Sequence, residues 1–112
     1  MDLSHKRIML YIEGISEGCQ DAVEKSANEQ WPFQIWNQYG SYVFATGEGF
    51  FHPHENEEFA DRLSRAIWDA NHGYCAIEIQ EACVEIRPQH TYQRNRSDYD
   101  RLWAAVSLSN DP

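Results

Sequence analysis

The chain has 112 residues, 42% hydrophobic and 13% aromatic, which is too apolar for a disordered acidic tail and enough for one domain around a modest core. Against 18 acidic residues stand 9 basic ones, a net charge of −9 spread along the whole chain and sharpest over residues 31–73. That balance disfavours direct nucleic-acid binding, which relies on clustered cations to displace phosphate counterions.

Residues 6–13 read as a strand, with Ile8, Leu10 and Ile12 on one face and Arg7, Met9, Tyr11 and Glu13 on the other, ended by Gly14. Residues 16–28 predict a helix with Cys19, Ala22, Val23, Ser26 and Ala27 as its buried stripe and Ser16 as N-cap. Residues 31–50 are aromatic and β-prone. Phe33–Trp36 and Tyr42–Thr46 flank Gly40-Ser41, which fits a two-residue type II′ hairpin turn, and Gly47 and Gly49 are expected to end the second arm.

Residues 55–71 carry the clearest helical stripe (Phe59, Leu63, Ala66, Ile67, Ala70), with Glu55, Glu57 and Glu58 in the first turn and Gly73 as the stop. Residues 74–87 alternate again, Cys75, Ile77 and Ile79 against Ala76, Glu78 and Gln80, with a bulge or bend expected at Glu81-Ala82. Residues 89–96 read as a polar connector. Ser97-Asp98-Tyr99-Asp100 resembles a capping box, opening a short helix over 98–107 with Tyr99, Leu102, Trp103 and Val106 as its stripe.

The order β-α-β-β-α-β plus a helix is that of an α+β, ferredoxin-like (split βαβ) domain over residues 1–88, with residues 89–112 as a connector and C-terminal helix packed on the same domain. A four-stranded antiparallel sheet with two helices on one face is expected. The other face would carry Met9, Tyr11, Trp36, Tyr42, Phe44 and Glu78, buried either by the C-terminal helix or by a second subunit in a homodimer.

No catalytic constellation is legible. There is no Gly-x-Ser-x-Gly elbow, and Gly47-Glu48-Gly49 puts an acid where a phosphate would approach. His52, His54, His72, Cys75, Cys83 and His90 are the residue types zinc prefers, but His-x-His is an unusual half-site and Cys75 is expected in the core, so neither metal nor cofactor is expected. Cys19, Cys75 and Cys83 form no disulfide framework, and no apolar run is long enough for a secretory signal or a membrane span; a cytoplasmic setting is the expectation. Tyr11, Trp36, Tyr42 and Phe44 are similar to the stacking platform of RNA-recognition domains, but the Arg/Lys-Gly-Phe signature is missing and the charge is opposed.

What remains is the acidic helix. Glu57, Glu58, Asp61 and Asp69 are expected to face solvent, softened by Arg62 and Arg65 at i,i+4, with Glu13, Glu17, Asp21 and Glu24 as a second acidic zone. Aromatics nearby, Trp31, Trp68, Tyr99 and Trp103, are of the types that dominate interface energy. Glu57, Glu58, Asp61, Asp69 and Trp68 are therefore the candidate partner-binding set, for a basic, nucleic-acid-handling protein.

Small size, net acidity, ferredoxin-like order and the missing active site together resemble the anti-defence inhibitors of phages and mobile elements, the anti-CRISPR proteins above all. The resemblance implies a non-enzymatic, stoichiometric inhibitor that occupies a basic groove of a CRISPR effector or a similar complex. Two alternatives stay open: a small dimeric ligand- or metal-binding domain or enzyme, with a pocket lined by Tyr11, Trp36 and Glu78, and an antitoxin-like interaction module.

Overall fold

The computed structural model describes residues 4–51, 56–83 and 89–109, with side chains over 5–50, 57–82 and 91–102. In chain order the elements are β1 (Ser4–Glu13), α1 (Gln20–Gln30), β2 (Ile35–Tyr39), β3 (Tyr42–Phe51), α2 (Asn56–Asn71), β4 (Ala76–Cys83), β5 (Gln89–Arg94) and α3 (Arg96–Ser109). The fold is α+β. The sheet has five strands in the order β2-β3-β1-β4-β5, every neighbouring pair antiparallel, rather than the four expected. The extra strand is the segment read as a polar connector: its alternation is Tyr92 and Arg94 against Thr91 and Gln93, so an arginine occupies an inward position and hides the pattern.

Period-two alternation places the core. Ile8, Leu10 and Ile12 of the central strand, Val43 and Ala45 of β3, and Ile77 and Ile79 of β4 are all buried on one face. Val23 and Ala27 of α1 and Phe59, Leu63, Ile67 and Trp68 of α2 cover them. α3 joins this helical layer. Tyr99 meets the Trp68 ring edge-on at 5.1 Å and the Tyr74 ring at 5.7 Å, and Leu102 reaches the core. The described side chains of α3 therefore lie against α2, so of the two covers offered for the opposite sheet face, this helix or a second subunit, the described part of the helix is not one; Trp103 and Val106 lie outside the described side chains.

Local chemistry moves several boundaries. Gly18 sits at φ 83°, closed to a helix, so α1 starts at Gln20 with Cys19 as an N-cap that makes no side-chain bond, and Ser16 is not the cap. Ser16 N–H instead donates to Asn71 Oδ1 at 2.7 Å, tying this loop to the end of α2. Gly40 adopts φ 65° between the paired Tyr39 and Tyr42, as a two-residue hairpin turn requires.

β3 does not stop at Gly47. Both glycines lie in the strand on the inward face, opposite Ile8 and Lys6, because the segment after α1 crosses there. A Cβ on Gly47 would lie 2.1 Å from Pro32 O, and one on Gly49 would lie 3.0 Å from the Trp31 ring. β4 pairs with β1 in unbroken register from Ala76 to Cys83, without the expected bulge at Glu81-Ala82. The capping box of α3 lies two residues earlier than expected: Asn95 N–H donates to Asp98 Oδ2 at 3.0 Å, and Asp98 N–H donates to Asn95 Oδ1 at 3.2 Å.

α2 ends in a left-handed residue, but it is His72 (φ 58°) rather than Gly73. Gly73 N–H donates to Trp68 O and His72 N–H to Asp69 O, the paired bonds of a Schellman ending. No described helix is long and apolar enough to cross a membrane.

Candidate functional site

The five candidate partner-binding residues do not form one surface. Trp68 is fully buried and donates Nε1–H to Cys75 O at 2.8 Å, so its ring is core and not a contact for a partner. Its i+4 position from Ser64 and i+1 from Ile67 puts it on the broad buried side of α2, which the narrower stripe missed.

Glu57 and Asp61 are turned toward the protein's own arginine. Arg94, whose side chain is 8% exposed, gives Nη2 to Glu57 Oε1 at 2.9 Å and Nε to Asp61 Oδ1 at 3.0 Å, and Arg101 Nη2 stands 3.9 Å from the same Asp61 oxygen. These pairs clamp β5 and α3 onto α2. Glu58 and Asp69 do face solvent, but Glu58 shares its patch with Arg62 and Arg65. The helix is thus a mixed-sign surface. Sequence spacing could find Arg62 and Arg65, which are local, but not Arg94 and Arg101, which arrive through the fifth strand.

The opposite face of the sheet has the stronger claim. No described helix lies on it, and Ile35, Tyr39 and Phe50, exposed by 52%, 63% and 63%, all project from it by register. Tyr11 on the central strand stands between Tyr42 and Phe44, at ring-centroid distances of 5.9 and 5.0 Å. Trp36 is absent from this face: it pairs with the inward Ala45, packs on Phe33 at 5.6 Å and donates Nε1–H to Asn28 Oδ1 at 3.3 Å. The expected outward place for Trp36 is one residue out of phase with the observed pleat, and a one-residue slip carries a side chain to the other face.

Polar groups mark both ends of this aromatic band. At one end His5 stacks on Phe50 at 5.0 Å, and Glu48 accepts from Arg7 Nε at 3.2 Å with His5 Nε2 at 3.1 Å. The Arg7 hydrogen bond holds the Glu48 carboxyl below its usual range, helped by the charges of Arg7 and His5. At the other end Tyr11, Glu13, Tyr42, Ala76, Glu78 and Gln80 surround a depression of about 330 Å³. Glu78 is positioned by Gln80 Nε2 at 2.7 Å and Gln93 Nε2 at 3.2 Å, one amide on each of its oxygens. The Tyr42 phenol is pushed up, first by burial and then by Tyr11, Glu78 and Glu13. This end carries negative charge, and among the described residues its lining holds no basic one.

The zinc candidates do not assemble among the described residues, where no group of three or more His, Cys, Asp or Glu could hold a metal ion. His72 is exposed, whereas Cys75 is 1% exposed and its thiol is pushed up to about 12 by burial, far from the thiolate a metal requires. His52, His54, Cys83 and His90 lie outside the described side chains. Comparison of the chain with family models, with curated proteins and with solved structures gives no match.

Proposed function

We propose that this chain is a protein-binding module, and that it binds through the outer face of its sheet. The observation that carries the reading is the row of Ile35, Tyr39 and Phe50, exposed beside the Tyr11–Tyr42–Phe44 cluster on a face that no described helix covers. Exposed aromatic and aliphatic side chains gathered on one sheet face are characteristic of interaction sites. The acidic end of the band and the net charge of −9 favour a basic partner, which they would draw in by long-range attraction.

This reading keeps the partner class inferred from composition, a nucleic-acid-handling protein, and moves the contact from α2 to the sheet. A stoichiometric inhibitor of the anti-CRISPR kind, acting in the cytoplasm without catalysis, is one module that would work this way. The fold reading that goes with it is a ferredoxin-like unit, β1 to β4 with α1 and α2, extended at its β4 edge by β5 and α3. The sheet order β2-β3-β1-β4 with every pair antiparallel supports that assignment.

Binding of basic proteins under a salt titration tests it. We expect Tyr39→Ser/Phe50→Ser to abolish capture, Glu58→Lys/Asp69→Lys to retain most of it, and rising salt to weaken it steadily. Capture that survives the sheet variant and fails with the helix variant would return the site to α2. Light scattering reports whether a second copy covers the face instead.

A further inference from the structure

We infer that the depression at the acidic end of the outer face is a receptor for a guanidinium group, so that the partner's anchoring residue is an arginine. This rests on the reading of the outer face as the binding surface and names the chemistry of its centre. Four features converge on one depression of about 330 Å³ formed by Tyr11, Glu13, Tyr42, Ala76, Glu78 and Gln80. Two phenol rings stand with centroids 5.9 Å apart and planes tilted by 35°, so a flat cation lying on one ring is within reach of the other. Two carboxylates flank them, Glu13 exposed at the strand end and Glu78 half-buried. Gln80 and Gln93 hold the Glu78 carboxylate from the side, each taking one lone pair per oxygen and leaving others for an incoming fork of N–H groups. Among the described residues no cation lines the depression, in contrast to the other end of the band, where Arg7 and His5 already occupy Glu48.

The preference for guanidinium over ammonium follows from shape. Stacking on a tyrosine ring while bonding a carboxylate at the ring edge suits a planar cation with in-plane donors, whereas an ammonium, a compact and strongly hydrated point charge, neither stacks flat nor bonds the carboxylate as a fork. The molecule already uses the same pairing elsewhere: the Arg96 guanidinium lies 5.6 Å from the Tyr74 ring centroid and 5.5 Å from that of Tyr99, beside α3.

The test needs no partner. Argininamide is titrated into the labelled protein while the ring signals of Tyr11 and Tyr42 are followed by NMR, with citrullinamide as the neutral isostere and lysinamide as the ammonium control. We expect saturable shifts confined to Tyr11, Glu13, Tyr42 and Glu78 with argininamide, at least fivefold weaker binding for lysinamide, and none for citrullinamide. Glu13→Gln and Glu78→Gln are each expected to weaken argininamide at least threefold. Glu13 is exposed, so its variant keeps the test valid if Glu78→Gln disturbs the sheet; the amide spectrum of each variant confirms the fold. Equal shifts with citrullinamide, lysinamide matching argininamide, or indifference to Glu13→Gln would each overturn the assignment. A null titration with partner capture still dependent on Tyr39 and Phe50 removes the receptor and leaves the surface. A positive titration with capture indifferent to those residues does the reverse.

Discussion

Lys6 Nζ lies 2.8 Å from Glu81 Oε1 inside the fold, with side-chain exposures of 9% and 2%. The two are diagonal neighbours on the inward face, since Lys6 pairs with Cys83 and Ile8 with Glu81. Glu81 Oε2 is buried without a hydrogen-bond partner in the described structure. A pair of this kind adds little net stability over an apolar one, yet leaving one charge alone is costly. Lys6→Met, which takes the cation from a 2% exposed carboxylate, is expected to destabilise the domain by about 3–5 kcal/mol, Glu81→Leu by less, and the double variant by clearly less than the sum of the two. Urea unfolding of the four-member cycle measures this; additive losses would show that the pair is not coupled.

Gly47 is fixed by its neighbour across the layer rather than by its own dihedrals. With Pro32 O at 2.1 Å and Phe33 Cα at 2.8 Å from the position of a Cβ, alanine can be admitted only by moving the backbone that carries Trp31 into the core. Gly47→Ala is expected to lower stability by about 2–4 kcal/mol, whereas Gly49→Ala, which meets the Trp31 ring edge at 3.0 Å, should cost less. Thermal unfolding of both variants checks the ordering.

These two sites show what the sequence could and could not carry. Alternation alone placed Ile8, Leu10, Ile12, Ile77 and Ile79 in the core, and the helical stripe from Phe59 to Ile67 was read correctly, because apolar residues mark a buried face directly. The same alternation continued through Lys6, Glu81 and Arg94, but charged residues on an inward register look like breaks in the pattern. Arg94 hides β5 in this way, whereas the bulge expected at Glu81-Ala82 follows from the change of apolar parity between Ile79 and Val84. Of the outer face, Tyr11, Tyr42, Phe44 and Glu78 were legible as one surface, and Trp36 was misplaced by a one-step phase error in β2. The solvent exposure of Ile35, Tyr39 and Phe50 depends on what packs nearby, which no local pattern encodes.

The Asn95–Asp98 capping box gives a pH-dependent term. The Asp98 carboxyl is held below its usual range chiefly by the Asn95 N–H bond, with Arg101 assisting. A depressed carboxyl stabilises the fold above the unfolded value of 3.8, and that contribution fades as pH falls through the folded value. Asp98→Ala is therefore expected to cost about 1 kcal/mol at pH 7 and almost nothing at pH 2. A parallel loss at both pH values would mean the side chain acts through packing instead.

Arg94 links β5 to α2 through two acids of unequal burial. Glu57 is 73% exposed and screened by water, while Asp61 is 30% exposed and also faces Arg101. The expected order of loss is Arg94→Met above Asp61→Asn above Glu57→Gln, at about 2–3, about 1–2 and below about 0.5 kcal/mol. Hydrogen exchange should show the Arg94→Met loss concentrated in β5 and α3, the elements the arginine holds. Protection lost evenly across the sheet would argue against a local clamp.

Cys75 is held as a neutral thiol by its burial. Burial pushes its thiol from 9.0 up to about 12, so between these values the unfolded chain loses its proton first. Folded stability should therefore fall as pH rises through that window. In a Cys19→Ser/Cys83→Ser background, disulfide reagents at pH 8 should reach Cys75 only through unfolding, slower than in denaturant by about a thousandfold or more. The same buried, protonated thiol makes His72-x-x-Cys75 a poor half-site, because a zinc ion would have to displace the proton and open the core beside Trp68. Added Zn²⁺ is accordingly expected to leave Tm unchanged in this background. A rise in Tm together with zinc-protected labelling would show that the thiolate is reachable and overturn the assignment of Cys75 to the core alone.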